Sequence, residues 1–285
     1  YFIYGCRHGK NVPLMNRQGH AMKIHHLNTG TMCPLGRRLV NGTGGLFQRA
    51  RLVCHCLLVE TNDGLVLVDT GIGLGDIAAP VRLGRRWLRQ TAPRLDPAET
   101  AVEQVRALGY SPNDVRHLLL THLDRDHAGG VPDFPHAAIH VHRAEYDMAV
   151  ERKPAPPEGR YVTGQWSHGP RWQFYGEAGE DWFGFKGVRA LGDTEADILM
   201  IPLTGHTLGH CGIAVRSGDT GPTLPLNISS AKPMIAFNGV RSSCDMLARN
   251  SLFRRLASRI RFSRFRRALM SRIALDTSTP SPVSI

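Results

Sequence analysis

The chain has 285 residues, 42% hydrophobic and 21% charged, an ordinary globular composition with enough apolar material for a sizeable core. Its net charge of +11 is unevenly spread: residues 1–210 set 23 Lys and Arg against 21 Asp and Glu, while residues 211–285 set 12 against 3. A uniformly basic, nucleic-acid-coating chain is thereby excluded; the basicity belongs to the tail, and all fourteen histidines precede residue 211.

The opening segment "YFIYGCRHGKNVPLMNRQGHA" lacks a continuous apolar run and reads as an extension upstream of Met22, where patterned sequence begins. Six cysteines without a secretory segment read as reduced thiols, which makes the cytoplasm the expected compartment. No stretch approaches the ~18 apolar residues of a membrane span.

"RLVCHCLLVET" and "GLVLVDTG" are β-branched and Leu-rich runs separated by "NDG", a hairpin signal that leaves Asp69 at a strand end. Cys54 and Cys56 would share one strand face and His55 the other, so the thiols are expected to be buried and not to form a metal hook. A helix follows, with Asp96 as N-cap, Pro97 at its first position, Glu99 three residues after the cap, and Gly109 as stop. "DVRHLLLTH" and "AAIHVH" are short strands, and "RAEYDMAVER" is helical. His25, His26, His140 and His142 fall on strands or strand ends. Residues 153–182, rich in Pro, Gly and Trp, read as an irregular excursion over a cleft. "DILMIPLTGHTLGHCGIAVRSGD" is strand, loop, strand. Strands and helices interleave without a strict βαβ period, so the class is α+β.

The loop "THLDRDHAGG" places His122, Asp124, Asp126 and His127 within six positions, and "GHTLGH" adds His206 in a second loop after a strand. Imidazole nitrogen and carboxylate oxygen are the ligands that zinc and similar divalent ions accept. With "VLVDTG", these motifs resemble the metallo-β-lactamase superfamily over roughly residues 22–220, especially its lactonase-like and glyoxalase-II-like members. The resemblance implies a four-layer αββα sandwich with one or two metal ions at an edge of its sheets. His122, Asp124 and His206 would hold the first ion, and Asp126 and His127 would begin the second site; Asp69, at its strand end, is read as a hydrogen-bonding residue beside the site or as a turn cap, and His210, four residues beyond His206, as a residue that packs behind the ligands. It further implies metal-assisted hydrolysis of a small-molecule ester, lactone or thioester by metal-bound hydroxide, with Asp126 as the catalytic carboxylate.

Three departures qualify this pattern. Asp124 stands where the family carries a second histidine; a harder, charged ligand lets Mn²⁺ or Fe²⁺ compete with Zn²⁺. The bridging aspartate has no counterpart, Asp219 coming too early and Asn227 occupying the usual distance. A terminal histidine is also absent. The second reading is accordingly a weak or inactive family member that binds one metal and acts as a binding protein.

Residues 221–285 form an atypical Arg/Ser-rich tail. Within it, 251–275 carries Leu252, Leu256, Ile260, Phe265, Leu269 and Ile273 at helical spacing with eight arginines and no acid. Such a helix suits a membrane surface, nucleic acid or a protein partner. An out-of-frame reading of a GC-rich gene would give a similar composition.

Overall fold

The computed structural model describes residues 12–15, 21–151, 160–176, 179–182, 185–192, 194 and 196–216. The tail 221–285, with the helix expected at 251–275 and Asn227, lies outside the described residues, as does most of the segment 1–21. Two compact units divide the chain, Tyr1–Glu180 with Lys186–Val240, and Asp181–Phe185 with Arg241–Ile285. The site residues all belong to the first.

The strands are β1 (Val12–Met15), β2 (Ala21–Met32), β3 (Leu52–Thr61), β4 (Gly64–Val68), β5 (Val115–Leu119), β6 (Ala138–His142), β7 (Arg171–Tyr175), β8 (Glu180–Trp182), β9 (Phe185–Ala190), β10 (Asp197–Pro202) and β11 (Cys211–Arg216). The helices are α1 (Arg37–Asn41), α2 (Leu74–Ala78), α3 (Arg85–Thr91), α4 (Ala101–Ala107) and α5 (Arg143–Tyr146). One sheet runs β1 to β7 in order, antiparallel through β4 and parallel from β4 to β7. In the other, β10 pairs antiparallel with β9 and with β11.

The central strands are apolar on both faces because both faces are covered. On β3, Cys56 and Leu58 point toward the helix side, with Val102 and Val105 of α4, while Leu57 and Val59 point into the layer shared with Ile198, Met200 and Ile213 of the second sheet. β4 repeats the alternation, Leu65 and Leu67 one way and Val66 and Val68 the other. Strands buried on both faces read as continuous hydrophobic runs. Burying each such side chain contributes about 1.5–3 kcal/mol. Helix, sheet and second sheet give three layers of the sandwich.

The hairpin β3–β4 stands as expected, and His25, His26, His140 and His142 lie on strands. Cys54 and Cys56 are buried thiols, with burial pushing both well above the ordinary thiol range, while His55 bonds His26 through ring nitrogens 2.9 Å apart. Two expectations need correction. The helix expected from Asp96 is interrupted: Pro97–Glu99 form a separate 3-10 turn capped by Asp96, and α4 starts after a second cap, Thr100. Glu99 does not reach back to its own cap because it accepts a bond from Thr31 Oγ1 at 2.8 Å. The excursion 153–182 is not wholly irregular either. It contains a 3-10 turn at Thr163–Trp166 and β7, whose polar "RWQFY" pattern reflects a half-solvated strand beside β6.

Candidate metal centre

β4 and β5 are parallel and in register at Val68 and Leu119, so the loops that follow them leave the sheet at one edge. Asp69 therefore faces Thr121, accepting from its amide at 2.8 Å and its hydroxyl at 2.9 Å. Glycines let these loops lie backbone against backbone; a Cβ on Gly73 would sit 2.1 Å from the carbonyl oxygen of Gly129. The amide of Cys211 donates to Thr121 O at 2.9 Å and draws the loop between β10 and β11 to the same edge.

Glu145, buried at the start of α5, fastens the two ligand-bearing loops together. Its carboxylate accepts from the amide of Leu123, between His122 and Asp124, at 3.0 Å and from that of Gly209 at 3.3 Å. Position 209 has to be glycine, since a Cβ there would come within 2.2 Å of the Glu145 nitrogen.

His122, Asp124 and His206 converge, with one ligand atom from each lying within 4.8 Å of the others. Asp124 Oδ2 is 2.9 Å from His206 Nε2 and 3.4 Å from His122 Nε2. Ligand atoms around a tetrahedral ion with bonds of about 2.1 Å are themselves about 3.4 Å apart, so the two distances from Asp124 Oδ2 suit ligands of one divalent ion. His122 Nε2 is buried and makes no hydrogen bond, which is costly for a ring nitrogen unless a metal takes the lone pair. The other nitrogen, Nδ1, lies 2.8 Å from Thr121 Oγ1, the outer partner that a ligating imidazole needs. Burial and the neighbouring His127 push His122 down to about 3, so the ring is neutral and able to ligate.

Asp124 is also held by Arg160, whose Nε lies 3.1 Å from Oδ1 and whose Nη1 donates to the carbonyl of His206. Although burial would raise the Asp124 carboxyl, His122, His206 and Arg160 hold it well below the usual carboxylate range.

Asp126 and His127 stand beside this triad. His127 Nε2 is 4.0 Å from Asp126 Oδ2, and Nδ1 is anchored on Asp69 at 2.9 Å. Burial opposes charge on His127, yet Asp69, Asp126 and Asp124 raise it to about 9. Burial pushes Asp126 up. His210 packs edge-on against His122 and His206, with ring centroids 5.1 and 5.6 Å away, and its Nδ1 is 3.1 Å from Leu203 O.

Arg160 and Glu145 escaped sequence reasoning. Arg160 lies in the Pro- and Gly-rich excursion, far along the chain from either motif. For Glu145 the one sequence signal is an acid in the first turn of a helix that follows a fully buried strand.

The profile of the Metallo-beta-lactamase superfamily matches residues 49–222, more than half of the chain. The chain belongs to this superfamily. Within it, the chain is 44% identical over 203 residues to a probable metallo-hydrolase of Mycobacterium tuberculosis, an alignment covering 70% of this chain and 60% of that protein. The match thus spans less than two thirds of the relative's length. An N-acyl homoserine lactonase of Rhizobium johnstonii is 33% identical over 217 residues, covering 74% of this chain and 76% of the relative. Among solved structures, an N-acyl homoserine lactone hydrolase with N-hexanoyl-L-homoserine at its catalytic metal centre shares the fold, with a TM-score of 0.54, 21% identity and 74% of each chain covered. The superfamily's αββα architecture agrees with the layers described above.

Proposed function

We propose that this chain is a metal-dependent hydrolase of small-molecule esters, lactones or thioesters. The observation that carries the reading is the convergence of His122, Asp124 and His206 around a buried imidazole nitrogen without a hydrogen bond. The superfamily assignment and the N-acyl homoserine lactonase relatives support the substrate class. Zinc is the expected ion, with Mn²⁺ and Fe²⁺ favoured beyond the usual by the carboxylate at position 124.

A bound divalent ion would supply Lewis acidity and make water ionisable near neutral pH. The chain's own residues do the rest. Asp126 accepts the proton of the attacking water and returns it to the leaving oxygen or sulfur, a role that suits a carboxyl pushed up by burial. His127, fixed by Asp69 through Nδ1, keeps Nε2 turned toward Asp126. His210 wedges the two ligand imidazoles in place. The four free thiols among the described residues, at Cys33, Cys54, Cys56 and Cys211, suit a reducing compartment such as the cytoplasm.

The test combines metal content by elemental mass spectrometry with hydrolysis assays on a γ-lactone, a thioester and an aryl ester. The expected result is at least one equivalent of metal and chelator-sensitive turnover that Asp126→Asn lowers on the order of 100-fold or more. Metal-loaded protein inactive on all three substrates would overturn the reading and leave a metal-binding protein without turnover.

A further inference from the structure

The near-neutral balance of residues 1–210 conceals a sharply basic surface. Segments 33–51 and 79–95 contain nine arginines and neither Asp nor Glu. They are joined at one end, where Cys33 donates to Thr91 O at 2.8 Å beside the bond from Arg94 to Thr31 O at 2.9 Å and the bridge between Met32 and Pro93. Arg82 and Arg94 lie 3.7 Å from Asp76 and Glu99, respectively. The exposed Arg37, Arg38, Arg49, Arg85, Arg86 and Arg89 have no acidic partner among the described residues.

The same two segments hold most of the exposed large apolar side chains among the described residues: Phe47 is 93% exposed, Leu39 70%, Leu35 62%, Val81 60% and Leu46 52%. Isolated surface apolar residues are ordinary, but Leu35, Leu39, Leu46 and Phe47 crowd into one short segment, interspersed with Arg37, Arg38 and Arg49.

The patch borders the metal centre. β2 and β3 pair at Met32 and Leu52, and β3 runs antiparallel to β4, so segment 33–51 leaves the sheet at the edge where Asp69 emerges. From the ligand loop, Arg125 donates to Leu83 O and stacks over Trp87 at 5.8 Å.

We propose that this face docks on an anionic lipid surface, with Phe47, Leu39 and Leu35 entering the boundary between headgroups and acyl chains and the arginines pairing with lipid phosphates. The combination selects this occupant. A nucleic acid would satisfy the arginines but leave the aliphatic and aromatic tips in water, and a two-fold copy of the same face would set arginine against arginine. A lipid surface matches both at once. The docking surface is independent of whether the metal centre turns over an ester.

The experiment is co-sedimentation of the full chain with vesicles of phosphatidylglycerol and phosphatidylcholine, and with phosphatidylcholine alone. Phe47→Ser/Leu39→Ser and Arg37→Gln/Arg38→Gln are compared with the unsubstituted chain. Residues 251–275 are the same in every sample, so a difference between samples belongs to the loop. The expected result is binding to the anionic vesicles alone, weakened at least tenfold by either pair of substitutions, with unchanged thermal midpoints because all four side chains are exposed. Anionic-vesicle binding that is absent, or equal in all three proteins, would overturn the proposal. So would retention by duplex DNA that depends on Arg37 and Arg38 without vesicle binding, or a dimer in sedimentation velocity that Phe47→Ser/Leu39→Ser dissociates.

Discussion

Arg160 Nε lies 3.1 Å from Asp124 Oδ1 while Oδ2 of the same carboxylate faces His122 and His206. The arginine is an ion-pair neighbour of an oxygen that makes no hydrogen bond in the fold, while the other oxygen faces the two imidazoles, and its charge offsets that of the aspartate. Carboxylate and guanidinium form one unit. Asp124→His alone would restore the usual ligand but leave a cation facing a neutral ring beside a metal. The expected outcome is metal affinity 10–100-fold weaker in Asp124→His and in Arg160→Gln, and largely recovered in the double variant. Competition titration with a chromophoric chelator checks this, and a double variant no better than Asp124→His would refute the coupling.

Metal and fold should be linked. His122 Nε2 is buried without a hydrogen bond, so the metal-free fold carries an unsatisfied polar atom that the unfolded chain does not. Free metal at about 100 times its dissociation constant would contribute about 2.7 kcal/mol. For a domain of this size that corresponds to a thermal midpoint roughly 5–10 °C higher. Scanning fluorimetry with and without chelator measures the shift, and His122→Ala should abolish it. An equal shift in that variant would place the stabilising metal elsewhere.

The parts of this fold that are legible in sequence are those where one physical demand dominates. β3 and β4 announce themselves because burial on both faces requires unbroken apolar runs, and the candidate ligand loops do so because imidazoles and carboxylates crowd into a few positions after a strand. Relationships set by tertiary contact are not visible in this way. Arg160 reaches Asp124 from a turn-rich segment with no pattern of its own, and Glu145 looks like an ordinary first-turn acid until its carboxylate is seen between two loops. Thr100 takes over as helix cap because Glu99 is drawn away by Thr31, a partner 68 positions distant. The acid-free basic segments 33–51 and 79–95 vanish in a charge sum over 210 residues, and their meeting at Cys33 and Thr91 appears only in the fold.

Glu145 should matter to stability as well as to the site. Its carboxylate satisfies the buried amides of Leu123 and Gly209, and each donor left without a partner costs about 1–3 kcal/mol. Glu145→Ala is expected to lose roughly 3 kcal/mol in urea denaturation and to weaken metal binding, because both ligand loops are released together. Glu145→Gln keeps one acceptor oxygen and should lose less. Equal losses in the two variants would mean that side-chain volume, and not the bonds to the two loops, is what position 145 supplies.

Acid should destabilise the fold well before its carboxylates titrate. His140 is buried on β6, with Nε2 3.0 Å from His117 Nδ1 and Nδ1 2.8 Å from Tyr175 Oη, and His117 in turn faces Asp63 at 3.4 Å. Burial and the neighbouring His117 push His140 down to about 3, so the folded chain keeps it neutral while the unfolded chain protonates it near 6.5. Its contribution is present above pH ~6.5 and is lost as the pH falls from there toward 3, the direction expected when the unfolded state binds more protons. At pH 5 the loss from this one group is about 2 kcal/mol relative to pH 7.5. His55 and His210, each pushed to about 4 by burial, act in the same sense. Urea denaturation at pH 7.5 and pH 5.0 of the unsubstituted chain and of His140→Gln separates the share of His140. The gap between the two pH values should narrow by about 2 kcal/mol in the variant, whatever the substitution costs at pH 7.5. An unchanged gap would mean that His140 takes up its proton inside the fold, with Asp63 stabilising the charge through His117.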